Sequence, residues 1–231
     1  MSITRKVVYF AAAIAFAGSV TATGTLSATA ATQACGTQCI SIFSKELGTY
    51  KQPGVVEDVF AGSGTVGQPV ILNQGSTFDT SEDLVPTGGH VVSDFYRSGM
   101  VSADVNARYG SLKAAQLEYA PEGKRTGLCI GLAKVAYENE ELTLQPCTVP
   151  ALTVWIIDTT DSPTTAAAGY FPIVNASTTD LTRPYVMNLS QAEVANHTTL
   201  HVYVAQLQFQ GPDKTPTDRQ LWGAHFGVLT P

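Results

Sequence analysis

The stretch HVYVAQLQF, His201–Phe209, splits into two alternating sets of side chains. Val202, Val204, Gln206 and Gln208 fall on one side of an extended chain, and Tyr203, Ala205, Leu207 and Phe209 on the other. A period of two predicts a half-buried strand. Similar short runs recur along the chain, rich in β-branched or alternating residues. CISIFS (Cys39–Ser44), VVEDVF (Val55–Phe60), VILN (Val70–Asn73), VVSDFY (Val91–Tyr96) and AAQLEYA (Ala114–Ala120) read as strands. So do CIGLA from Cys129, LTLQPC from Leu142, TVWIID from Thr153, FPIVNAS from Phe171, PYVMNL from Pro184 and LWGAHFGVL from Leu221. SADVNARYG predicts one or two helical turns, with Ser102 as N-cap and Gly110 as stop. KELGTYKQPG after Ser44 is a turn-rich link, and DTTDSPTTAAAG (Asp158–Gly169) is a polar loop.

The runs are spaced in a faint threefold pattern. Ile130-x-Leu132 is followed about a dozen residues later by Leu142-x-Leu144, and then by Trp155. Ile173 is followed at a similar distance by Tyr185-x-Met187, and then by a strand near Leu200. Val70-x-Leu72 is followed by Leu84. Such self-similarity indicates three copies of one supersecondary unit. The wider gap between the first and second copies predicts an insertion over roughly 85–120. The expected fold is all-β: a single β-trefoil-like domain with an N-terminal extension and an insertion, with a β-sandwich as the alternative. Few charged residues, 14% of the chain, beside 20 Gly and 12 Pro agree with short strands and many turns.

The first residues are of a different kind. Arg5 and Lys6 precede an apolar run, Val7–Ala17, and small residues follow, with Ala28 and Ala30 at an A-x-A spacing. The run is too short for a membrane span and has the order of a secretory leader. The expected organisation is a signal peptide over 1–30, an N-terminal extension or strap over 31–68, and the β-rich domain over 69–231. The mature protein is expected to be secreted and free of a lipid anchor.

Export makes disulfides the natural state of the four cysteines, Cys35, Cys39, Cys129 and Cys147. Three pairings are open, and the local one, Cys35–Cys39 with Cys129–Cys147, is the one expected. No C-x-x-C occurs and no histidine lies near either pair, which argues against zinc.

The stretch from Cys129 to Trp155 resembles one repeat of the ricin B-type β-trefoil family. Cys129-Ile130 stands for the Cys-Leu opening, Leu142-Thr143-Leu144-Gln145-Pro146-Cys147 for the second strand, and Thr153-Val154-Trp155 for the Gln-x-Trp anchor. Arg219-Gln220-Leu221-Trp222 looks like a second anchor. The resemblance implies a trefoil fold and raises the question of sugar binding. In sugar-binding members an Asp after the opening accepts hydrogen bonds from the sugar. Here Gly131 stands in its place, with Ser41 and Val174 or Asn175 near the matching places of the other units. Trp155 and Asn175 are the surviving sugar-site candidates, and Trp155 reads more simply as a core anchor.

No catalytic constellation stands out. The four histidines, His90, His197, His201 and His225, lack a zinc spacing, and no G-x-S-x-G elbow is present. GSGTVG (Gly62–Gly67) matches a dinucleotide fingerprint but leads into a strand, so it reads as a turn. Glu138, Glu140 and Glu141 read as a solvated hairpin turn, and Asp158 with Asp161 as carboxylates of an exposed loop. A net charge of −6 gives no electrostatic case for nucleic acid.

The expected function is a secreted, non-catalytic protein-interaction module without cofactors, an adaptor subunit of an extracellular assembly. Export, size and the CGTQCISIF start make the chain similar in outline to the linker subunit of the umbrella toxin particles of filamentous soil bacteria, which implies extracellular protein partners. Ile40, Ile42, Phe43, Leu47 and Tyr50 are the expected contact residues. The alternatives are a lectin that binds glycans, and a secreted hydrolase or protease inhibitor acting through Asp158–Gly169.

Overall fold

The computed structural model describes residues 38–48, 56–75, 79–196 and 199–226. The expected signal peptide, Cys35, Tyr50 and His197 lie outside these residues.

The strands fall into three groups with the same wiring. The first holds β1 (Ile40–Ser44), β2 (Val56–Val59), β3 (Val70–Asn73) and β4 (Leu84–Thr87). The second holds β5 (Ala114–Tyr119), β6 (Leu128–Gly131), an interrupted strand formed by β7 (Glu140–Glu141) and β8 (Thr143–Pro146), and β9 (Trp155–Ile157). The third holds β10 (Ile173–Asn175), β11 (Tyr185–Leu189), β12 (Leu200–Gln206) and, after the small hairpin β13 (Phe209–Gln210) and β14 (Thr215–Pro216), β15 (Trp222–Phe226).

In every group the first strand pairs with the second and the second with the third, as in Phe43↔Val56, Glu118↔Cys129 and Val174↔Val186. The first and fourth strands link group to group. β4 pairs with β5, β9 with β5 and β10, and β15 with β1, while Phe171 bridges to Trp222. The third strands meet one another: β3 with β12, β7 with β12, and Pro69 with Thr143. The result is a closed ring of strands capped by three hairpins around a pseudo-threefold axis. The fold is a β-trefoil.

Two apolar layers form because strand side chains alternate between faces. Trp155, Ile173, Met187 and Trp222 point into the central core with Leu84, Ile130 and Leu144. Their neighbours Ile156, Val174 and Val186 point outward, into a second core. That second core is closed by the insertion, which runs between β4 and β5 and carries α1 (Val92–Arg97) and α2 (Ala103–Tyr109). Phe95, Val105 and Tyr109 are its buried anchors.

α1 corrects the strand expected at Val91–Tyr96. Val92 and Phe95 are buried three residues apart, a helical spacing. Asp94 accepts hydrogen bonds from the backbone N–H groups of His90 and Val91, which caps the first turn and holds its carboxyl below the usual carboxylate range. α2 starts as expected, with Ser102 Oγ accepting from Val105 N at 3.2 Å.

The boundary expected near residue 68 is also corrected. β1 and β2 are integral strands of the first repeat, and Ile40 and Ile42 belong to the central core. Their ladder partners lie in β15 at the far end of the sequence, so the segment cannot be a separate strap.

Cys129 and Cys147 form a disulfide across the hairpin of the second repeat, with a sequence separation of 18. Cys39 is also disulfide-bonded. Replacing Cys129 and Cys147 together by Ala is expected to cost about 3 kcal/mol, from the added freedom of the unfolded loop. Urea unfolding of the variant beside the parent measures it.

Candidate functional site

The positions that bind sugar in the ricin-type reading are built into the scaffold. Trp155 is buried, and its Nε1 donates to Ile130 O at 2.8 Å. Trp222 makes the matching contact in the third repeat, donating to Met187 O at 2.9 Å. Each indole is a cross-brace between the fourth strand of its repeat and the second, not a surface platform. Asn175 is fully buried. Its Nδ2 donates to Leu152 O at 3.0 Å, and its Oδ1 accepts from Ser177 N at 3.0 Å and from Ser177 Oγ at 2.6 Å. Both the amide nitrogen and the amide oxygen of Asn175 are thereby engaged inside the protein.

Gly131 closes the question for the second repeat. A Cβ there would lie 2.7 Å from Thr153 Cγ2 and 2.9 Å from Leu152 O. The backbone of the loop before β9 presses on this strand so closely that no acid fits in place of the glycine. Ser41, in the first repeat, is buried on β1.

The expected partner residues divide. Ile40, Ile42 and Phe43 are buried within the domain, and Leu47 packs on the central core. Such side chains are already spent on folding and are closed to a partner, except for Ile40, which lines a cavity.

That cavity has a volume of about 500 Å³ and lies where β1, β4, β5 and β9 come together beside the insertion. Ile40, Pro86, Ala114, Ala115 and Ile157 make its walls apolar, while Gly88 and Gly89 leave one side low. Lys113 and His90, both exposed, add two polar groups. No single stretch of sequence announces this site, because four separate strands contribute to it. An apolar hollow with few polar groups suits an apolar side chain better than a sugar, whose hydroxyls need several fixed partners.

The loop after β9 differs from its sequence reading. Asp158 is completely buried, and its Oδ1 accepts from Thr160 N (2.8 Å), Thr160 Oγ1 (2.7 Å) and Asp161 N (3.2 Å). Asp161 pairs with Arg108 of α2 at 3.0 Å. Burial, and then the neighbouring Asp158, push the Asp161 carboxyl upward. The segment is anchored to the insertion and includes a short helix, α3 (Pro163–Ala167). The Asp158–Asp161 pair is therefore a structural tie: Oδ1 of Asp158 is held by its own turn, while its Oδ2 is buried with no hydrogen-bond partner among the described residues. In the Glu138–Glu141 segment Glu140 is buried, and Glu138 accepts from Gln206 N at 3.0 Å. The hairpin is thus tied to β12 where a solvated turn was expected.

No protein-family model and no curated protein matches the chain. Solved structures do. The designed threefold-symmetric protein ThreeFoil aligns with a TM-score of 0.47 at 13% identity, over 80% of this chain and 96% of its own. The mdaA-1 domain aligns with a TM-score of 0.49 at 14% identity, over 82% of this chain and 90% of its own. The Rhizoctonia solani agglutinin aligns with a TM-score of 0.46 at 14% identity, over 83% and 96%. Among the described residues no helix is long and apolar enough to cross a membrane.

Proposed function

We propose that the protein is an extracellular, non-catalytic binding module that engages another protein, as an adaptor subunit of a larger exported assembly. The apolar cavity bounded by Ile40, Pro86, Ala115 and Ile157 carries this reading. It offers a socket for one apolar side chain of a partner, the kind of buried anchor on which protein interfaces concentrate their affinity. The closed ricin-type positions at Gly131, Trp155 and Asn175 support a protein partner over a glycan. The Cys129–Cys147 bridge supports an oxidising compartment.

The test fills the socket. Ala115 lines the cavity and is only half-buried, so Ala115→Trp occupies the space without entering the core. The tagged parent is expected to co-purify with large exported proteins from native culture supernatant, and Ala115→Trp to lose them, with affinity down about 10-fold or more. Free sugars are expected not to compete. Recovery of a lone monomer that retains saccharides on a glycan array would overturn the reading.

A further inference from the structure

β2 carries two adjacent carboxylates, and alternation sends them to opposite faces. Glu57 shares the core face with Val59, while Asp58 turns toward the segment Asp79–Glu82 before β4. Carboxylate oxygens of Asp58, Asp79 and Glu82 lie within 4.8 Å of one another. Asp58 and Glu82 are buried, 4% and 7% exposed. A cavity of about 350 Å³ opens at this place, lined by Asp58, Asp79, Asn73, Ser81 and the turn Phe60–Gly62.

A second observation concerns Asp58 alone. Its Oδ2 accepts from Asn73 Nδ2 at 3.0 Å, but its Oδ1 is buried with no hydrogen-bond donor among the described residues. A carboxylate oxygen shut away from water without a partner is strongly unfavourable. A cation beside the cluster supplies the partner that this oxygen lacks.

We propose that Asp58, Asp79 and Glu82 form a site for a divalent cation, with calcium the ion they fit. The donors are oxygens throughout, which suits a hard ion and not zinc or copper. Oxygens around one calcium stand at most about 4.8 Å apart, twice a Ca–O distance of about 2.4 Å. The observed spacing meets that limit. The Phe60–Gly62 turn, also at the rim, offers backbone carbonyl oxygens. The ion would clamp β2 to the segment that leads into β4, tying the second strand of the first repeat to its fourth. In the other two repeats an indole joins those strands.

Terbium(III) and calcium are the probes. Tyr119 donates its hydroxyl to Gly62 O at 3.3 Å beside the cavity, so it can sensitise a bound lanthanide. The full chain, stripped with chelator, is expected to give saturable terbium emission that calcium displaces. Millimolar calcium is expected to raise Tm, as for extracellular sites with Kd of about 0.1–1 mM. Asp79→Asn keeps the oxygen that caps its turn and is expected to weaken both responses at least 10-fold. Glu82→Gln is expected to do the same, with far-UV circular dichroism confirming the fold of each. Absence of saturable emission together with a Tm unmoved by calcium would overturn the site, as would binding that both variants leave intact.

Discussion

Glu57→Gln is expected to flatten the alkaline side of the stability profile. Glu57 is 1% exposed and faces the core beside Leu72 and Val59, and both its carboxyl oxygens lack a hydrogen-bond partner among the described residues. Burial alone pushes its pKa from 4.5 up to about 8. The sign follows from proton linkage. Between these two values the unfolded chain has lost the proton and the folded chain still holds it, so stability falls as pH rises through this window. Below pH 4.5 both states are protonated and the penalty vanishes; above about 8 it is complete. A shift of this size corresponds to a loss on the order of 5 kcal/mol, a large share of a typical domain's stability. Urea unfolding of the parent at pH 4.5 and pH 8.5 should show most of that loss, and Glu57→Gln should lack this component. Parallel pH profiles for the two proteins would refute a neutral, buried Glu57.

Trp222→Ala is expected to leave the domain close to unfolded. The indole is 0% exposed, so truncation removes a large packed volume at about 3–5 kcal/mol. It also strips Met187 O of its donor, a further cost of about 1–3 kcal/mol. Together these approach the whole stability of a typical domain. Trp222 sits on the strand that pairs with β1 and bridges to Phe171, so the loss falls on the seam that closes the ring. Trp222→Phe separates the two contributions, since it keeps a ring but loses the N–H. Thermal unfolding followed by near-ultraviolet circular dichroism should order the proteins parent, Phe, Ala. Equal midpoints for Phe and Ala would show that the hydrogen bond to Met187 governs the seam.

Most of the strands were legible because each carries its signal locally. Alternation in Val202–Leu207, the β-branched run from Ile40 and the Cys129…Cys147 bracket all depend on near neighbours in sequence. The core role of Trp155 was readable from its place at the end of a repeat. α1 was misread because VVSDFY has the composition of a strand, and only the capping carboxylate of Asp94 and the Val92/Phe95 spacing reveal the helix. The placement of Ile40, Ile42 and Phe43 was hidden because their ladder partners come from β15. The burial of Asp158 depends on its own turn and on the insertion, and sequence shows the polar letters but not the packing around them. The apolar cavity and the Asp58 cluster escaped for the same reason, being assembled from segments far apart in the chain.

The pairing of β1 with β15 sets an order of events during biosynthesis. Among the described strands, the earliest to leave the ribosome has as its neighbour the last one to be made. Until that late strand emerges, β1 exposes one unpaired edge and the ring stays open. Closure therefore waits for β15, and its dependence on distant contacts makes it slow compared with helical domains of similar size.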